Sequence, residues 1–357
     1  MSANRYIRQT ILKGFGAQGQ EKLQNSNVLV VGAGGLGVPV LQYLNAMGVG
    51  TIGIVENDRI ELSNLQRQPI YSEHDIGKDK IEVAIKKLQA QNSATTFHCH
   101  SQFLSTENVL DILKSYDVIV DATDNFPTRY LINDACVILN KPFVYGALHA
   151  FEGQVSVFNY QSGPTYRCLF PQMPAKDEMP DCNINGVLGI IPGIIGNFQA
   201  LEVVKMITGI GQPLSGKLLL YDGLAQIIQQ VSFQPVPENQ SRAQLEERYE
   251  YLNCELNSTV TVEEFEHMLL NPKQFQLVDV RSPEEFAAFH LEDTINIPLQ
   301  ELPGRTNEVD IKRGVVLICQ SGIRSEKALN YLNQHLDCNI FQLEGGLHNY
   351  THYGNNH

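Results

Sequence analysis

The glycine-rich stretch Gly32-Ala33-Gly34-Gly35-Leu36-Gly37 constrains the fold of this chain more than any other segment. It follows an apolar run at residues 28–31 and precedes a helical pattern from Val38 to about Met47. A short apolar run bounded by glycines is typical of a buried parallel strand. Glycines at this turn let the backbone approach a phosphate group, which the N–H groups of the next helix can bind. The stretch therefore predicts an α/β domain with a nucleotide at the loop.

Apolar runs and helical patterns continue to alternate along the first two thirds of the chain. This alternation predicts a Rossmann-like, mostly parallel sheet with helices on both faces. The further predicted elements are strands at residues 52–55, 118–120, 143–145, 155–160 and 217–221 and a long helix at residues 194–208.

The length of 357 residues favours two domains. A polar, proline-punctuated stretch at residues 234–241 suits a linker. We predict a nucleotide-binding α/β domain at residues 1–235, a linker at 236–257 and a small α/β domain at 258–357. The elements predicted in the last part are a helix at residues 262–270, strands at 277–280 and 315–319, and a helix at 325–335.

Composition excludes several classes of protein. The net charge of −13 argues against a nucleic-acid partner, because phosphate backbones need clustered Lys and Arg. The apolar stretch at residues 186–196 is too short to span a bilayer, and the first six residues have no apolar signal core. Seven cysteines at irregular spacings do not form a secreted disulfide framework. We expect a cytoplasmic protein with reduced thiols and no membrane partner.

Charged side chains follow the predicted strands of the first domain. Glu56 ends the second strand, where an acid can hold ribose hydroxyls, but to this point the pattern fits an NAD-dependent oxidoreductase equally well. Arg67 and Lys80 add two cations, and Asp124 closes the third strand at the ligand-binding edge. Two cations and an aspartate suit a triphosphate with magnesium better than a hydride-transfer site. The alternative is that these residues are ordinary solvated surface charges.

Five motifs of the first domain resemble the MoeB/ThiF family, the bacterial relatives of ubiquitin-activating enzymes. The resemblance covers residues 1 to about 233 and implies a homodimer that uses ATP and Mg²⁺ to adenylate the C-terminal Gly-Gly of a ubiquitin-like sulfur carrier. The motifs lie at residues 5–9, 32–37, 63–68, 121–125 and 152–154.

The resemblance also implies roles for individual residues. Glu56, where the family usually has Asp, would hold the ribose, and Lys80 would steady the charge of the polyphosphate. Asp124 would bind magnesium, and Arg8 would reach into the site of the partner subunit. The residues implied at the nucleotide, besides Glu56 and Lys80, are Gly32, Gly34, Gly35, Gly37, Ser63, Asn64, Leu65, Gln66, Arg67, Asp124 and Asn125.

A second candidate site lies in the C-terminal domain. The apolar strand at residues 315–318 leads into Cys319, and a helix follows the loop. Backbone N–H groups and the positive helix end lower the pKa of such a thiol and stabilise an anionic persulfide. Arg324 adds a positive charge, and Gly322 lets the loop close tightly. The alternative is a buried cysteine that ends a core strand.

The loop resembles the rhodanese pattern C-x-x-G-x-R-S. Cysteine-based phosphatases place one more residue between Cys and Arg, so this tighter loop favours sulfur transfer over phosphate chemistry. Residues that resemble the rest of a rhodanese domain lie at 278–286, 290–291, 295–298 and 343–346.

The remaining cysteines leave two questions. Cys182 lies in a polar loop, and the resemblance implies that it either attacks the acyl-adenylate, as in some family members, or is a spectator thiol. Many family members hold zinc with two C-x-x-C pairs, but here Pro171 follows Cys168 at the second ligand position. Asn257 likewise replaces the partner of Cys254, so we predict no zinc. His98 and His100 flank Cys99, which favours a surface strand over a metal site.

The combined interpretation is an adenylating enzyme fused to a sulfurtransferase. ATP would activate a carrier's terminal glycine, and a persulfide on Cys319 would supply sulfur for a thiocarboxylate. The sulfur donor is thiosulfate or a persulfide-bearing protein, and the product serves molybdopterin, thiamin or another thio-cofactor pathway such as tRNA thiolation. The rival functions are an NAD-dependent oxidoreductase and a non-catalytic scaffold that only binds a carrier.

Overall fold

The computed structural model describes residues 5–174, 186–247, 249, 259–269, 274–333, 335–336 and 340–353. The chain divides into two compact units, Met1–Asn253 and Cys254–His357. Each unit has its own sheet.

The first unit is built on an eight-stranded sheet in the order β3-β2-β1-β4-β5-β6-β7-β8. The strands from β3 to β5 are parallel, and β5 to β8 are antiparallel. This sheet confirms the predicted Rossmann-like α/β class. The strands are β1 Asn27–Val31, β2 Thr51–Val55, β3 Thr96–His100, β4 Val118–Asp121, β5 Phe143–His149, β6 Glu152–Phe158, β7 Lys217–Asp222 and β8 Ile227–Ser232.

Helices cover both faces of this sheet because its central strands are apolar on both sides. Val28 and Val30 pack into one core cluster, whereas Leu29 and Val31 pack into the other. Such continuous apolar strands are typical of parallel sheets. The helices are α1 Ile7–Thr10, α2 Gly16–Gln24, α3 Gly37–Met47, α4 Lys80–Gln91, α5 Val109–Leu113, α6 Phe126–Ile138, α7 Tyr166–Leu169 and α8 Ile190–Thr208.

Helix α8 begins four residues before the predicted helix at residue 194. Pro192 fits in its first turn, where a missing N–H breaks no helical hydrogen bond. By length and composition α8 could cross a membrane, but half of its apolar window is buried inside the unit. It packs against α3, β5 and β6, so it is a core helix of the sheet.

The second unit contains a five-stranded parallel sheet in the order β11-β10-β12-β13-β9. Strand β12 lies at the centre and is buried from its second residue onward. Strand β12 therefore delivers Cys319 from the middle of the sheet. The elements are β9 Thr259–Val260, α9 Val262–Leu269, β10 Phe275–Asp279, α10 Pro283–Ala288, β11 Thr294–Asn296, α11 Leu302–Arg305, β12 Gly314–Ile318, α12 Ile323–Asn333, β13 Ile340–Leu343 and α13 Gly346–Tyr353.

The described part of the predicted linker packs on the first unit. The carboxylate of Asp134, on α6, is 1% exposed and accepts hydrogen bonds from Arg167 at 2.8 and 2.9 Å. Arg242 and Tyr249 approach the same carboxylate at 2.9 and 2.7 Å. Upstream, Thr165 donates to the carbonyl of Asn239. The polar composition of the predicted linker therefore does not make its described part an unattached segment, because its polar groups pair with a buried acid.

We expect Asp134→Asn to destabilise the first unit by about 3–5 kcal/mol, because it removes the buried carboxylate shared by Arg167 and Arg242 and leaves them only the partly exposed Glu246. Urea denaturation followed by circular dichroism measures the change. Asp111→Asn is the matched control, because Asp111 forms an ion pair with Lys114 but is 79% exposed. The control should leave the urea midpoint close to the wild-type value, because an exposed ion pair is screened by solvent. Equal losses in both variants would show that the Asp134 cluster does not hold this unit.

Candidate active sites

The predicted phosphate loop lies between β1 and α3 and closes on itself. A Cβ atom at Gly37 would lie 1.9 Å from the carbonyl oxygen of Gly32. Gly32 itself has a φ of +100°, a conformation that favours glycine. Only glycine at these two positions allows the turn, and the turn leaves helix α3 with its N-terminus at the loop.

The carboxylate of Glu56, at the end of β2, holds this loop. One oxygen accepts the Ala33 N–H at 2.9 Å, and the other accepts the N–H groups of Asn57 and Asp58 at 2.9 Å. Tyr71 donates to the Ala33 carbonyl at 2.9 Å. Burial raises the pKa of Tyr71 above its usual range, so its hydroxyl stays a donor. Glu56 thus fixes the backbone, and the ribose role stays a prediction.

The loop also contacts the predicted phosphate-binding run at residues 63–68. A Cβ at Gly35 would lie 3.6 Å from Cδ of Arg67 and 3.1 Å from Cβ of Pro192. The guanidinium of Arg67 donates to the Ser63 carbonyl at 2.9 Å and remains partly exposed. The structure therefore brings Arg67 to the phosphate loop.

The other residues of that run form a tight turn. Asn64 is buried, and its Oδ1 accepts the Glu61 N–H at 3.1 Å. A Cβ at Gly189 would lie 2.3 Å from the carbonyl oxygen of Gln66, so the entrance to α8 packs on this turn. Leu65 packs against the first core cluster. Asn64 and Leu65 thus act as structural supports of the turn, and their predicted contacts with a nucleotide stay predictions.

Lys80 is the first residue of α4, and its side chain is only 7% exposed. Its Nζ lies 2.9 Å from Oδ2 of Asp58, whose own N–H binds Glu56. The sequence prediction included Lys80 and Glu56 but missed Asp58. The acidic partner holds Lys80 in place beside the loop, and a polyphosphate would compete with Asp58 for this cation.

Asp124 and Asn125 lie at the carboxyl end of β4. Asp124 is exposed, and no hydrogen bond from a residue in the described ranges reaches its carboxylate. Asn125 instead uses its side chain to cap α6, accepting the Thr128 N–H at 2.9 Å. A free carboxylate at this edge fits a hard cation such as Mg²⁺.

A buried network beneath β4 supports this edge, and the sequence analysis assigned no individual role to its members. Asp121 is fully buried and accepts from Nε of Arg129 at 3.0 Å and from the hydroxyl of Thr123 at 2.6 Å. Burial alone would lower the pKa of Arg129, but the Asp121 carboxylate raises it above its usual value. Gln199 of α8 donates to the Asp121 carbonyl at 2.7 Å. Asp121 ends a predicted strand and Arg129 lies in the helical pattern that follows, and this spacing was the sequence signal from which their pairing could have been predicted.

Arg8 lies on α1 and is exposed. The chain that enters the helix is anchored to the end of α4, because Arg5 donates to the Gln91 carbonyl at 3.1 Å and Asn92 donates to the Tyr6 hydroxyl at 3.0 Å. The predicted role of Arg8 in a partner subunit stays a prediction.

The second site forms where β12 meets α12. Cys319 is fully buried, and its Sγ accepts the Gly322 N–H at 3.1 Å and lies 3.4 Å from Oγ of Ser325. Burial would raise the pKa of the Cys319 thiol, but the Ser325 hydroxyl and backbone N–H groups outweigh it and lower the pKa. A Cβ at Gly346 would lie 2.3 Å from the Cys319 carbonyl oxygen, so α13 packs directly behind the loop.

Arg324 does not stand free at this cradle. Its guanidinium makes two parallel contacts with the carboxylate of Glu285, at 2.6 and 2.7 Å. The Arg324 guanidinium lowers the pKa of Glu285 to about 2, and Glu285 in turn raises the pKa of Arg324. The sequence prediction counted Arg324 as a positive charge at the loop and gave no pairing role to Glu285, which the Ser282 capping box of α10 holds in position.

The other cysteine predictions stay open. Cys182 and Cys254 lie outside the described residues. The Sγ of Cys168 accepts the N–H groups of Val236 at 3.2 Å and Thr165 at 3.4 Å. Within the part of the chain that the structure describes, no three His, Cys, Asp or Glu residues cluster as metal ligands. The absence of zinc stays a prediction.

The histidine pair lies on an edge strand, as its spacing predicts. His98 is exposed on β3, and His100 lies 2.8 Å from the Tyr116 hydroxyl. Burial lowers the pKa of His100.

Sequence comparison decides the family. The ThiF family matches residues 6–243. The chain belongs to the ThiF family. The rhodanese-like domain family matches residues 261–353. The predicted resemblance is confirmed in both parts: the chain combines a ThiF/MoeB-type adenylyltransferase domain with a C-terminal rhodanese domain.

Two similar relatives align over nearly the whole chain, and a third aligns over less than two thirds of it. "Adenylyltransferase and sulfurtransferase MOCS3" of Drosophila sechellia is 40% identical over 375 residues, which cover 97% of this chain and 82% of that protein. The protein of that name in Aedes aegypti is 38% identical over 384 residues, covering 98% and 86%. "Sulfur carrier protein adenylyltransferase" of Thermus thermophilus is 53% identical over 226 residues, covering 62% and 83%.

Solved structures support the fold of the first unit. A crystal structure described as E. coli MccB with ATP matches with a TM-score of 0.58 and 25% identity, over 66% of this chain and 73% of that one. Another, MccB with MccA-N7isoASN, matches with a TM-score of 0.59 and 24% identity over 66% and 73%, which shows the shared fold alone.

Proposed function

We propose that this chain adenylates the C-terminal Gly-Gly carboxylate of a ubiquitin-like sulfur carrier with ATP, and that a persulfide on Cys319 then supplies sulfur. One observation carries the first half of the proposal. Arg67 lies against the glycine loop that Glu56 holds in place, and Lys80 pairs with Asp58, whose own N–H donates to Glu56. The printed names of the relatives, an adenylyltransferase and sulfurtransferase, describe the same pair of activities.

The adenylation step joins two anions. A carboxylate oxygen of the carrier attacks the α-phosphorus, the bond between that phosphorus and the bridging oxygen to the β-phosphate breaks, and pyrophosphate leaves. Because like-charge repulsion dominates the barrier, positioned cations contribute most of the catalysis. Arg67 beside the loop and the buried Lys80 are the described cations that can supply this charge.

A magnesium ion bound with ATP would neutralise further negative charge. Asp124 would hold it, since its carboxylate is exposed at the strand edge and carboxylate oxygens are the ligands that Mg²⁺ prefers. The residue beside it, Asn125, is already used to cap α6.

The sulfur step uses the second unit. The outer sulfur of a Cys319 persulfide attacks the acyl carbon, AMP leaves, and an acyl disulfide joins the carrier to Cys319. A second thiol then attacks the Cys319 sulfur, which releases the thiocarboxylate and oxidises the two thiols to a disulfide. The N–H groups around Cys319 stabilise the anionic sulfur at both stages.

We further propose a cytoplasmic homodimer in which Arg8 completes the partner's adenylation site. The exposure of Arg8 on an anchored helix supports this, as do exposed apolar side chains nearby, Ile7 at 46% and Ile11 at 66%. The thiocarboxylate would serve molybdopterin or thiamin synthesis, with tRNA thiolation as the alternative.

Arg67→Ala should lower carrier-dependent ATP–pyrophosphate exchange by about 10²–10³-fold, as removal of a charge-stabilising group does at other sites. Arg59→Ala is the control, since Arg59 lies in the same region but is 69% exposed and pairs with Asp79. Its exchange rate should stay at the wild-type value. Full exchange in Arg67→Ala would remove this residue from the mechanism.

Cys319→Ala should keep ATP–pyrophosphate exchange and lose both cyanide-dependent thiosulfate sulfurtransferase activity and thiocarboxylate formation. The product is measured by weighing each candidate carrier after incubation with ATP and thiosulfate, where one oxygen is replaced by one sulfur. Cys99→Ala, which removes an exposed thiol on β3, is the control. Sulfur transfer that survives in Cys319→Ala would assign the nucleophile elsewhere.

Mixing Arg8→Ala and Arg67→Ala protomers should restore exchange that neither has alone. In a mixed dimer one site has Arg67 from one protomer and Arg8 from the other, so random subunit exchange should yield about one quarter of the wild-type rate. No recovery in a mixture shown to exchange subunits would contradict the shared site.

A further inference from the structure

A chain of hydrogen bonds connects β9, an edge strand of the second sheet, to Cys319 at the end of the central strand β12. Nε2 of Gln342, on β13, donates to Oγ1 of Thr259 on β9 at 3.1 Å. The hydroxyl of Ser325 lies 3.1 Å from Oε1 of Gln342 and 3.4 Å from Sγ of Cys319. Ser325 is fully buried, whereas Gln342 is partly exposed, so the hydroxyl exchanges between protein acceptors and not with water.

The Ser325 hydroxyl has more acceptors than hydrogens. It donates to the Gly322 carbonyl at 2.8 Å or to Gln342, or it turns toward the sulfur. The Gly322 carbonyl also accepts the Glu326 N–H at 3.0 Å, so it keeps a partner when the hydroxyl turns away. Ser325 is the one donor described for Oε1 of Gln342. Turning the hydroxyl to an anionic sulfur therefore takes from the partly buried Gln342 carboxamide oxygen its described protein donor, which carries a free-energy cost.

We propose that Gln342 is a positioning residue that draws the Ser325 hydroxyl hydrogen away from Cys319 and so limits how far the cradle stabilises the anionic sulfur. Thr259 holds the carboxamide in the orientation that presents its oxygen to Ser325. The role in sulfur transfer rests on the proposed function, whereas the effect on the thiol does not.

Such a limit has a chemical use. Backbone N–H groups at Gly322 and along the start of α12 already favour the anion. A sulfur anion that is stabilised further becomes a weaker nucleophile, because nucleophilicity falls as the pKa falls. An acceptor that competes for the one movable donor keeps the sulfur anionic yet reactive.

The charged groups around the loop do not change when Gln342 is replaced. Arg324 on α12 is paired with Glu285 of α10. Arg281 after β10 is paired with Asp279 and lies 3.4 Å from Oε1 of Gln320. From α13, the backbone N–H of His348 binds the Gln320 carbonyl. A change in the titration of Cys319 in an uncharged Gln342 variant thus reports on the Ser325 hydroxyl.

The test is the pH dependence of iodoacetamide alkylation at Cys319 in the full chain, followed by mass spectrometry of the peptide that carries it. Gln342→Leu should move the midpoint to lower pH by about half a unit to one unit, since the hydroxyl then donates to sulfur freely. Gln342→Met, which keeps an unbranched shape, should do the same if the leucine variant folds poorly. Gln342→Glu should move it to higher pH, because a carboxylate is a stronger acceptor and adds negative charge.

The matched comparison repeats these variants in a Ser325→Ala background. Gln342→Leu should then leave the midpoint unchanged, because no hydroxyl remains to redirect. An equal shift in that background, no shift in the single variant, or a shift to higher pH in Gln342→Leu would overturn the proposal. Thr259→Val, which keeps the carboxamide but loosens it, should shift the midpoint in the same direction by less.

A second readout separates tuning from a merely structural role. At a pH above both midpoints, alkylation of Gln342→Leu should be about two- to threefold slower than wild type, because its thiolate is the weaker nucleophile. Faster alkylation there would contradict the proposal. Neither measurement uses ATP, a carrier or a sulfur donor, so loss of the proposed sulfur transfer would leave this result intact.

Discussion

Parallel strands place their carboxyl ends at one edge of a sheet, and both candidate sites depend on this geometry. In the first unit β1, β2 and β4 end at the glycine loop, Glu56 and Asp124. In the second unit the central strand β12 ends at Cys319. Since each strand is buried, its last residue is held by the core, and the polar group that follows emerges at a fixed position. The adenylation site and the sulfur-transfer site thus both form at the carboxyl ends of buried parallel strands.

Each site keeps one of its cations in an ion pair. Lys80 contacts Asp58, and Arg324 makes two contacts with Glu285. An acidic partner orients a long side chain and reduces the free charge at the site. An anionic ligand must therefore compete with a carboxylate that is already in place, which favours a polyphosphate with several negative charges over a weakly charged competitor at Lys80. At Cys319 the anion is instead stabilised mainly by backbone N–H groups and the Ser325 hydroxyl.

Two buried acids connect α6 to distant parts of the first unit. Asp121, just before the helix, binds Arg129 within it and receives Gln199 from α8. Asp134, inside the helix, forms ion pairs with Arg167 and Arg242, which lie far apart along the chain. A buried carboxylate without such partners would be costly, so each network fixes its neighbours in one arrangement. One network supports the strand edge with Asp124, and the other holds the chain that leads toward the rhodanese domain.

The sequence by itself determined the fold class and both loops, because apolar periodicity and glycine spacing are local properties. Gly37 and the stretch around Cys319 were predicted for that reason. Only the tertiary structure decided which partners these residues have. Asp58 and Gln342 carry no local signal, since their roles arise when separate strands and helices bring single polar atoms within hydrogen-bond distance. The spacing of residues along a chain indicates which face of an element a side chain lies on and whether it is buried. Pairing between distant side chains depends instead on how the elements pack.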